Sequence, residues 1–321
     1  MMDWTDRHCR VFHRRLNPNL RLFTEMVTAK AVLFGDQERL LGYSAEEHPL
    51  VLQLGGSDPS ELAKASKIAA EWGYDEVNLN CGCPSDRVQG GSFGAVLMRE
   101  PTLVGECLAA MGEGGLPVTL KCRIGVDEQD PEPALDAVAD AAVRAGVTFI
   151  WVHARKAWLQ GLSPAQNRTV PPLDYGRVER LHERLSSKVC IGLNGGLSDV
   201  NSIDYACRAT DGAMIGRAAY QRPGVLVTLA GLQGAASFAH RTAVARSMAD
   251  YADNWMGAGG RLANVTRHML GLFHGEPGAR DWRRTLTEEA RLPEATPDLI
   301  VHAVDAVEAA AARRAIVATA A

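Results

Sequence analysis

Two glycine-containing words late in the chain offer a place for a phosphate. Asn194-Gly195-Gly196 and Gly216-Arg217 each follow a short apolar segment that reads as a β-strand. Glycines let backbone N–H groups approach a phosphate closely, and an arginine adds a bidentate charge. In a (β/α)₈ barrel the loops after the last two strands form the usual phosphate site. Lys121 and His153 stand near the C-terminal ends of two further strand-like segments, where they suit an electron-rich ring edge or a carbonyl. Gln53, at another strand end, carries the donor and acceptor that grip a planar heterocycle. In Asn78-Leu79-Asn80-Cys81-Gly82-Cys83-Pro84, Asn80 suits the amide edge of a substrate. Cys81 and Cys83 make half a metal site with no second pair, so no metal is expected. Each residue has an ordinary alternative: a tight turn, a structural His or Lys, a loop hydrogen bond. Their joint placement at equivalent strand ends favours the chemical reading.

Two stretches suit RNA. His153–Arg168 holds Arg155, Lys156, Trp158 and Arg168 with no acid, and Arg261–Arg284 carries five Arg against two acids, with Trp282 beside Arg283. Basic residues neutralise phosphates and interleaved aromatics stack bases. A solvated surface face is the plainer alternative for either stretch alone.

These residues need a scaffold, and the pattern between residues 20 and 217 supplies one. Seven short apolar runs, 22–27, 50–54, 76–80, 118–123, 148–154, 189–194 and 213–216, alternate with amphipathic segments. Their shortness and apolar content suit strands buried on both faces. Asp58-Pro59 with Glu61 predicts an N-cap, a first-turn proline and a capping acid, and Gly73 closes that helix; Pro101–Met111 and Pro131–Ala145 predict two more. Repeated β-α-β units imply a parallel sheet or barrel. A doubly wound sheet is the alternative, but it would place the Gly-rich words after the first strands. Seven strands are one short of a (β/α)₈ TIM barrel, and the missing one is expected upstream of the helix Arg7–Leu16. From residue 234 only helical patterns remain, so the expectation is a barrel domain over 1–233 and an all-helical domain over 234–321.

Composition sets the outer bounds. The 321 residues are 46% hydrophobic and 22% charged, which excludes a disordered, collagen-like or coiled-coil chain. The net charge of −4 confines any nucleic-acid contact to local patches, and 28 Arg against 6 Lys make each lysine position informative. No apolar run reaches 18 residues, so no membrane span is expected. Seven Cys without a CxxC pair fit a reduced, cytoplasmic chain.

Taken together, Met2–Arg10, Phe23–Val27, Val51–Gly56, Tyr74–Val88, His153–Arg168, Asn194–Gly196, Gly216-Arg217 and Thr266–Arg284 resemble the tRNA-dihydrouridine synthases, most closely their A subfamily. The resemblance implies an FMN-binding barrel with a helical tRNA-recruiting domain. It implies NADPH as reductant and reduction of the uracil C5–C6 bond at U20 and U20a in the tRNA D-loop, with the base drawn into the barrel mouth. Carried over by position, Met1 and Met2 belong to the turn that covers the flavin. Gln53, Lys121 and His153 meet the isoalloxazine or ribityl region; Asn194, Gly195, Gly196, Gly216 and Arg217 hold the phosphate. Asn80 faces the uracil, while Arg87, Phe93, Arg155, Lys156, Arg168, Arg280 and Arg283 meet tRNA. A monomer is expected.

The proton-donor word departs from the family pattern: where the family has Phe-Gly-Ala-Cys-Leu-Met, this chain reads Phe93-Gly94-Ala95-Val96-Leu97-Met98. Val96 cannot donate a proton. Cys81 or a bound water is the candidate substitute, and a catalytically impaired FMN- and tRNA-binding paralogue is the alternative. A barrel flavin reductase for small enones would explain the phosphate words but not the basic helical domain.

Overall fold

The computed structural model describes residues 1–85 and 93–319. The chain divides into two compact units: Met1–Met2 with Arg21–Ile215, and Asp3–Leu20 with Gly216–Ala321.

The first unit is a seven-stranded sheet, β1 (Leu22–Thr28), β2 (Leu50–Gly55), β3 (Glu76–Cys81), β4 (Val118–Arg123), β5 (Phe149–His153), β6 (Cys190–Asn194) and β7 (Gly212–Met214), paired in that order. All six pairings are parallel. An unbroken sequential order excludes the doubly wound alternative, whose strand order reverses at a switch point. It is the winding of a (β/α) barrel, in which right-handed crossovers put the helices on one face. Among the described residues β1 and β7 are the sheet's two edges.

The connecting helices begin where side chains satisfy their first N–H groups. α2 (Ala29–Phe34), α3 (Gln37–Leu41) and α4 (Pro59–Glu71) start at Thr28, Asp36 and Asp58, each accepting from the residue three positions on. Gly73, at φ +82°, ends the α4 turn as its sequence promised. α5 (Pro101–Gly112) and α6 (Pro131–Arg144) open on proline; α7 (Tyr175–Leu185) and α8 (Val200–Ala209) are capped by Asp174 and Asp199. The strands' helix-facing positions, Leu52, Leu54, Val77, Leu79, Leu120, Cys122, Ile150, Val152, Ile191 and Leu193, are fully buried. Each large aliphatic among them contributes about 1.5–3 kcal/mol by leaving water.

The second unit contains α1 (Arg7–Leu16), α9 (Arg217–Gln221), α10 (Gly224–Leu229), α11 (Gly234–Gly257), α12 (Leu262–Thr266), α13 (Ala279–Glu288) and α14 (Asp298–Thr319). The contact division falls after Ile215, and the N-terminal helix groups with the helical unit. Contacts of long sequence separation explain this. His8 Nδ1 lies 2.8 Å from Tyr251 Oη, Arg15 donates to the Ser247 carbonyl at 2.7 Å, and Asn17 to the Leu226 carbonyl at 3.1 Å. Asp6 caps α1 through the Cys9 N–H and pairs with Arg267 and His268. No helix among the described residues is long and apolar enough to cross a membrane.

Candidate active site on the inner face of the sheet

Strand alternation separates two chemistries. The face turned from the helices carries Gln53 on β2, Glu76, Asn78 and Asn80 on β3, Thr119, Lys121 and Arg123 on β4, Phe149, Trp151 and His153 on β5, and Asn194 on β6. Near the strand starts this face is filled by aromatic rings: Trp151 stacks on Phe149 at 4.1 Å and meets Phe23 edge-on at 6.2 Å. Gly192 leaves the room, since a Cβ there would lie 2.4 Å from the Trp151 ring.

Beside the rings, on β2 to β4, runs a buried polar ladder. Arg21 pairs with Glu76, Thr119 Oγ1 donates to Glu76 at 2.6 Å, and Asn78 donates to Thr119 at 2.9 Å. Gln53 Nε2 donates to Asn78 at 3.0 Å, and Asn80 Nδ2 donates to Gln53 Oε1 at 2.8 Å. Asn80 Oδ1 in turn accepts the N–H groups of Gly82 and Cys83. Satisfied networks of this kind rigidify a site because each lost partner would strand a buried polar group. The ladder joins two expected site residues, Gln53 and Asn80, and holds their amides in fixed orientation. Asn78, Thr119 and Glu76 were not singled out from sequence; the polar-apolar alternation of Glu76-Val77-Asn78-Leu79-Asn80 is the signal that marks them.

Two donors on this face have no partner among the described residues. Lys121 makes no hydrogen bond or ion pair, and burial, with Arg123 adding repulsion, pushes its ammonium down to about 8. The buried indole Nε1 of Trp151, register partner of Lys121, has no acceptor either. The half-buried ammonium suits an electron-rich atom of a bound ring, whereas the indole N–H is sealed among the aromatic rings.

The strand ends complete the site. Gly195 and Gly196 have φ of +108° and +72°, and a Cβ at Gly195 would lie 3.2 Å from the His153 ring. Tyr175 Oη holds the Gly195 carbonyl at 2.7 Å, and Asn194 Nδ2 donates to the Met214 carbonyl at 2.6 Å. The Gly195 and Gly196 N–H groups donate to no acceptor among the described residues, as a phosphate cradle requires. Gly216 and Arg217 fall in the helical unit, as N-cap and first residue of α9. Met1 and Met2 group with the sheet unit, Met2 being exposed.

Arg123, also missed from sequence, is a buried clasp. Its Nε donates to the Gly82 carbonyl at 3.0 Å, and its Nη1 to the Lys156 and Asn167 carbonyls at 3.1 and 2.8 Å. Burial pushes it down to about 10. It thereby ties the loop after β3 to the basic loop after β5. Asn167, fully buried, braces that loop through the Trp158 backbone in both directions. Lys156 lies 5.6 Å over the Trp158 ring, Arg155 donates to the Pro171 carbonyl, and Arg168 is exposed. Phe93 packs its ring on Gly55 at the end of β2. Arg87 lies outside the described residues.

Val96 sits in the 3₁₀ turn Gly94–Arg99, tied to the loop after β3 by Ala95 N–H on the Cys83 carbonyl at 2.9 Å and to Asp127 by Arg99. Cys81 is turned away from the inner face. It alternates with Asn80 onto the helix-facing side, fully buried near Cys107 of α5 and Cys122, and burial pushes its thiol far up. The thiol is on the wrong face of the sheet.

The model of the dihydrouridine synthase family matches residues 1–311. The chain belongs to the dihydrouridine synthase family. Curated relatives cover nearly all of it. It is 53% identical to the tRNA-dihydrouridine(20/20a) synthase of Xanthomonas campestris pv. campestris, over 94% of this chain and 90% of that one. It is 50% identical to that of Xylella fastidiosa (strain Temecula1) over 96% and 93%, and 45% identical to that of Synechocystis sp. over 95% and 92%. Morphinone reductase in complex with tetrahydroNAD superimposes with a TM-score of 0.50 at 13% identity, covering 72% of this chain and 84% of that one, a likeness of fold. As a dihydrouridine synthase the protein is a flavin-dependent oxidoreductase acting on tRNA. The inner face fits a flavin: the unpartnered ammonium of Lys121, and two glycines of positive φ whose N–H groups have no acceptor among the described residues at the strand ends.

Proposed function

We propose that the protein reduces the C5–C6 double bond of uridines 20 and 20a in the tRNA D-loop, with FMN as its flavin and NADPH as reductant, as a cytoplasmic monomer. The unpartnered, desolvated ammonium of Lys121 carries the reading, because it calls for an electron-rich ligand atom that no protein group supplies. Flavin, when bound, supplies the hydride for uracil C6.

The chain's own residues do the rest. Lys121 binds the electron-rich edge of the isoalloxazine, and His153 the neighbouring region beside the Gly195 turn. The Gly195 and Gly196 N–H groups bind the phosphate, with Asn194 fixing the turn. Gln53 and Asn80, locked by Asn78, present their remaining amide valences to flavin and to uracil respectively. Phe93 closes the strand-end side, Met1 and Met2 the covering turn. Arg155, Lys156 and Arg168 on the sheet unit, and Arg280 and Arg283 on the helical unit, meet tRNA phosphates. With Val96 at the donor position and Cys81 turned away, the proton for C5 comes from water.

The test is expression in cells lacking dihydrouridine synthases, with mass mapping of tRNA. Dihydrouridine at 20 and 20a is the expected result. Product from a Val96→Cys variant alone would make the native chain a flavin- and tRNA-binding paralogue; product from neither would overturn the reading.

A further inference from the structure

Within the helical unit, a cavity of about 210 Å³ is lined by Tyr220, Gln221, Arg267, His274, Ala279 and Arg283, with Leu270 and Gly271 in its wall. Gly271 lets the two walls approach closely, since a Cβ there would lie 2.1 Å from the Gln221 carbonyl oxygen. Of the polar groups around it, Arg267 is committed to Asp6 and His268. The Tyr220 hydroxyl, the Gln221 amide, the His274 imidazole and the Arg283 guanidinium make no hydrogen bond or ion pair among the described residues, although Tyr220 is ring-stacked on Trp4 at 4.4 Å.

The charge distribution around the cavity separates bound from available cations. Arg241 pairs with Glu276, Arg246 with Asp305 and Glu308, and Arg284 with Asp281. Arg283, and Arg280 one turn earlier on α13, have no carboxylate partner among the described residues and are exposed. Four polar side chains without a protein partner among the described residues line one hollow with an apolar wall, as at a ligand site. The hollow is smaller than the ~300 Å³ at which ordinary small-molecule clefts begin, so it suits one base-sized ring, and its cationic rim suits the attached phosphate.

We propose that this cavity takes up one nucleotide of the RNA, the base entering against Leu270, Gly271 and Ala279. Gln221 and His274 meet the base's polar edge, and Arg283 and Arg280 bind its phosphates. The site is separate from the uracil position on the sheet's inner face, and it anchors a second nucleotide. It rests on the reading that the substrate is tRNA.

The experiment uses the full chain with unmodified tRNA transcript, reading fluorescence anisotropy from 50 to 200 mM KCl. Ala279→Phe fills the hollow without removing charge; it is expected to weaken binding about tenfold at unchanged salt slope, as loss of one stacked base does. Arg283→Ala is expected to weaken binding several-fold and to lower the salt slope by about 0.7–0.9. Transcript carrying 4-thiouridine, irradiated on the native protein, is expected to cross-link to peptides holding Tyr220 or His274. Should Ala279→Phe lose its circular-dichroism signal, His274→Ala takes its place, with about threefold weaker binding expected. Native affinity in Ala279→Phe or its replacement, or cross-links confined to the sheet unit, would overturn the cavity proposal while tRNA binding by the native chain keeps the proposed function. Failure of the native chain to bind tRNA would overturn both.

Discussion

The two units leave their unpaired positive charge in opposite environments. On the sheet's inner face, polar side chains satisfy one another from Arg21 to Asn80, and the cation left without a partner among the described residues is the half-buried ammonium of Lys121. In the helical unit the neutralised arginines have carboxylate partners, while Arg280 and Arg283 stand exposed beside a hollow. A buried charge without a partner is costly and demands one well-placed electron-rich atom, which suits a small tightly held cofactor. Exposed guanidiniums cost little and attract a diffuse polyanion in a salt-dependent way. The same residue class thus serves geometry in one unit and electrostatics in the other.

The difference can be sharpened or broken, beginning with the chemistry the sheet unit lacks. Val96→Cys should raise single-turnover dihydrouridine formation by about 10²–10⁴-fold, the usual worth of a positioned general acid. An unchanged rate would mean that the 3₁₀ turn does not face the reacting base. Lys121→Met should weaken flavin binding by about 10–100-fold, the loss of one charge-assisted hydrogen bond, and at the same time raise the melting temperature of the flavin-free protein. If both fall together, the lysine is structural and the contrast between units fails. The titration has a matching sign. Flavin affinity should decline as pH rises through about 8, where Lys121 loses its proton. The flavin-free fold should gain stability between pH 8 and 10.5, because only the unfolded chain still holds that proton.

Asn78→Ala, which removes two rungs of the ladder, should cost about 2 kcal/mol in urea unfolding and loosen both Gln53 and Asn80. Gly195→Ala should weaken flavin binding about tenfold, from the strain of positive φ, about 1–2 kcal/mol, and contact with the His153 ring. The helical unit responds to acid instead. Burial holds His8 and His13 neutral down to about 4, with His268 also depressing His13. The unfolded chain takes up those protons first, so stability is lost as pH falls from 6.5 towards 4. Hydrogen exchange should show α1 and α11 opening before the strands; uniform opening would mean that the imidazoles do not distinguish the units.

Much of the scaffold was legible because local signals and tertiary outcome agree. All seven strands lie within two residues of the apolar runs, and the helix starts at Asp58-Pro59 and at Pro131 stand as read. Less legible was the character of the strands. They read as buried on both faces, yet Val118-Thr119-Leu120-Lys121-Cys122-Arg123 alternates strictly, and its polar half forms the site. Nearness in sequence makes the Cys81 thiol a candidate donor, but a strand's two-residue period turns it to the helices.

What the sequence by itself determined is the set of elements, their parallel order, and the residue types at the strand ends, because apolar period, caps and glycine turns act over a few residues. Tertiary structure alone decided which polar groups neutralise each other. Gln53 meets Asn78 and Asn80 across 25 and 27 residues, Arg123 meets Asn167 across 44, and Asp6 meets His268 across the length of the chain. Those pairings set which donors remain for a ligand, and a pairing energy depends on distance in space, which the spacing of residues along a chain does not specify.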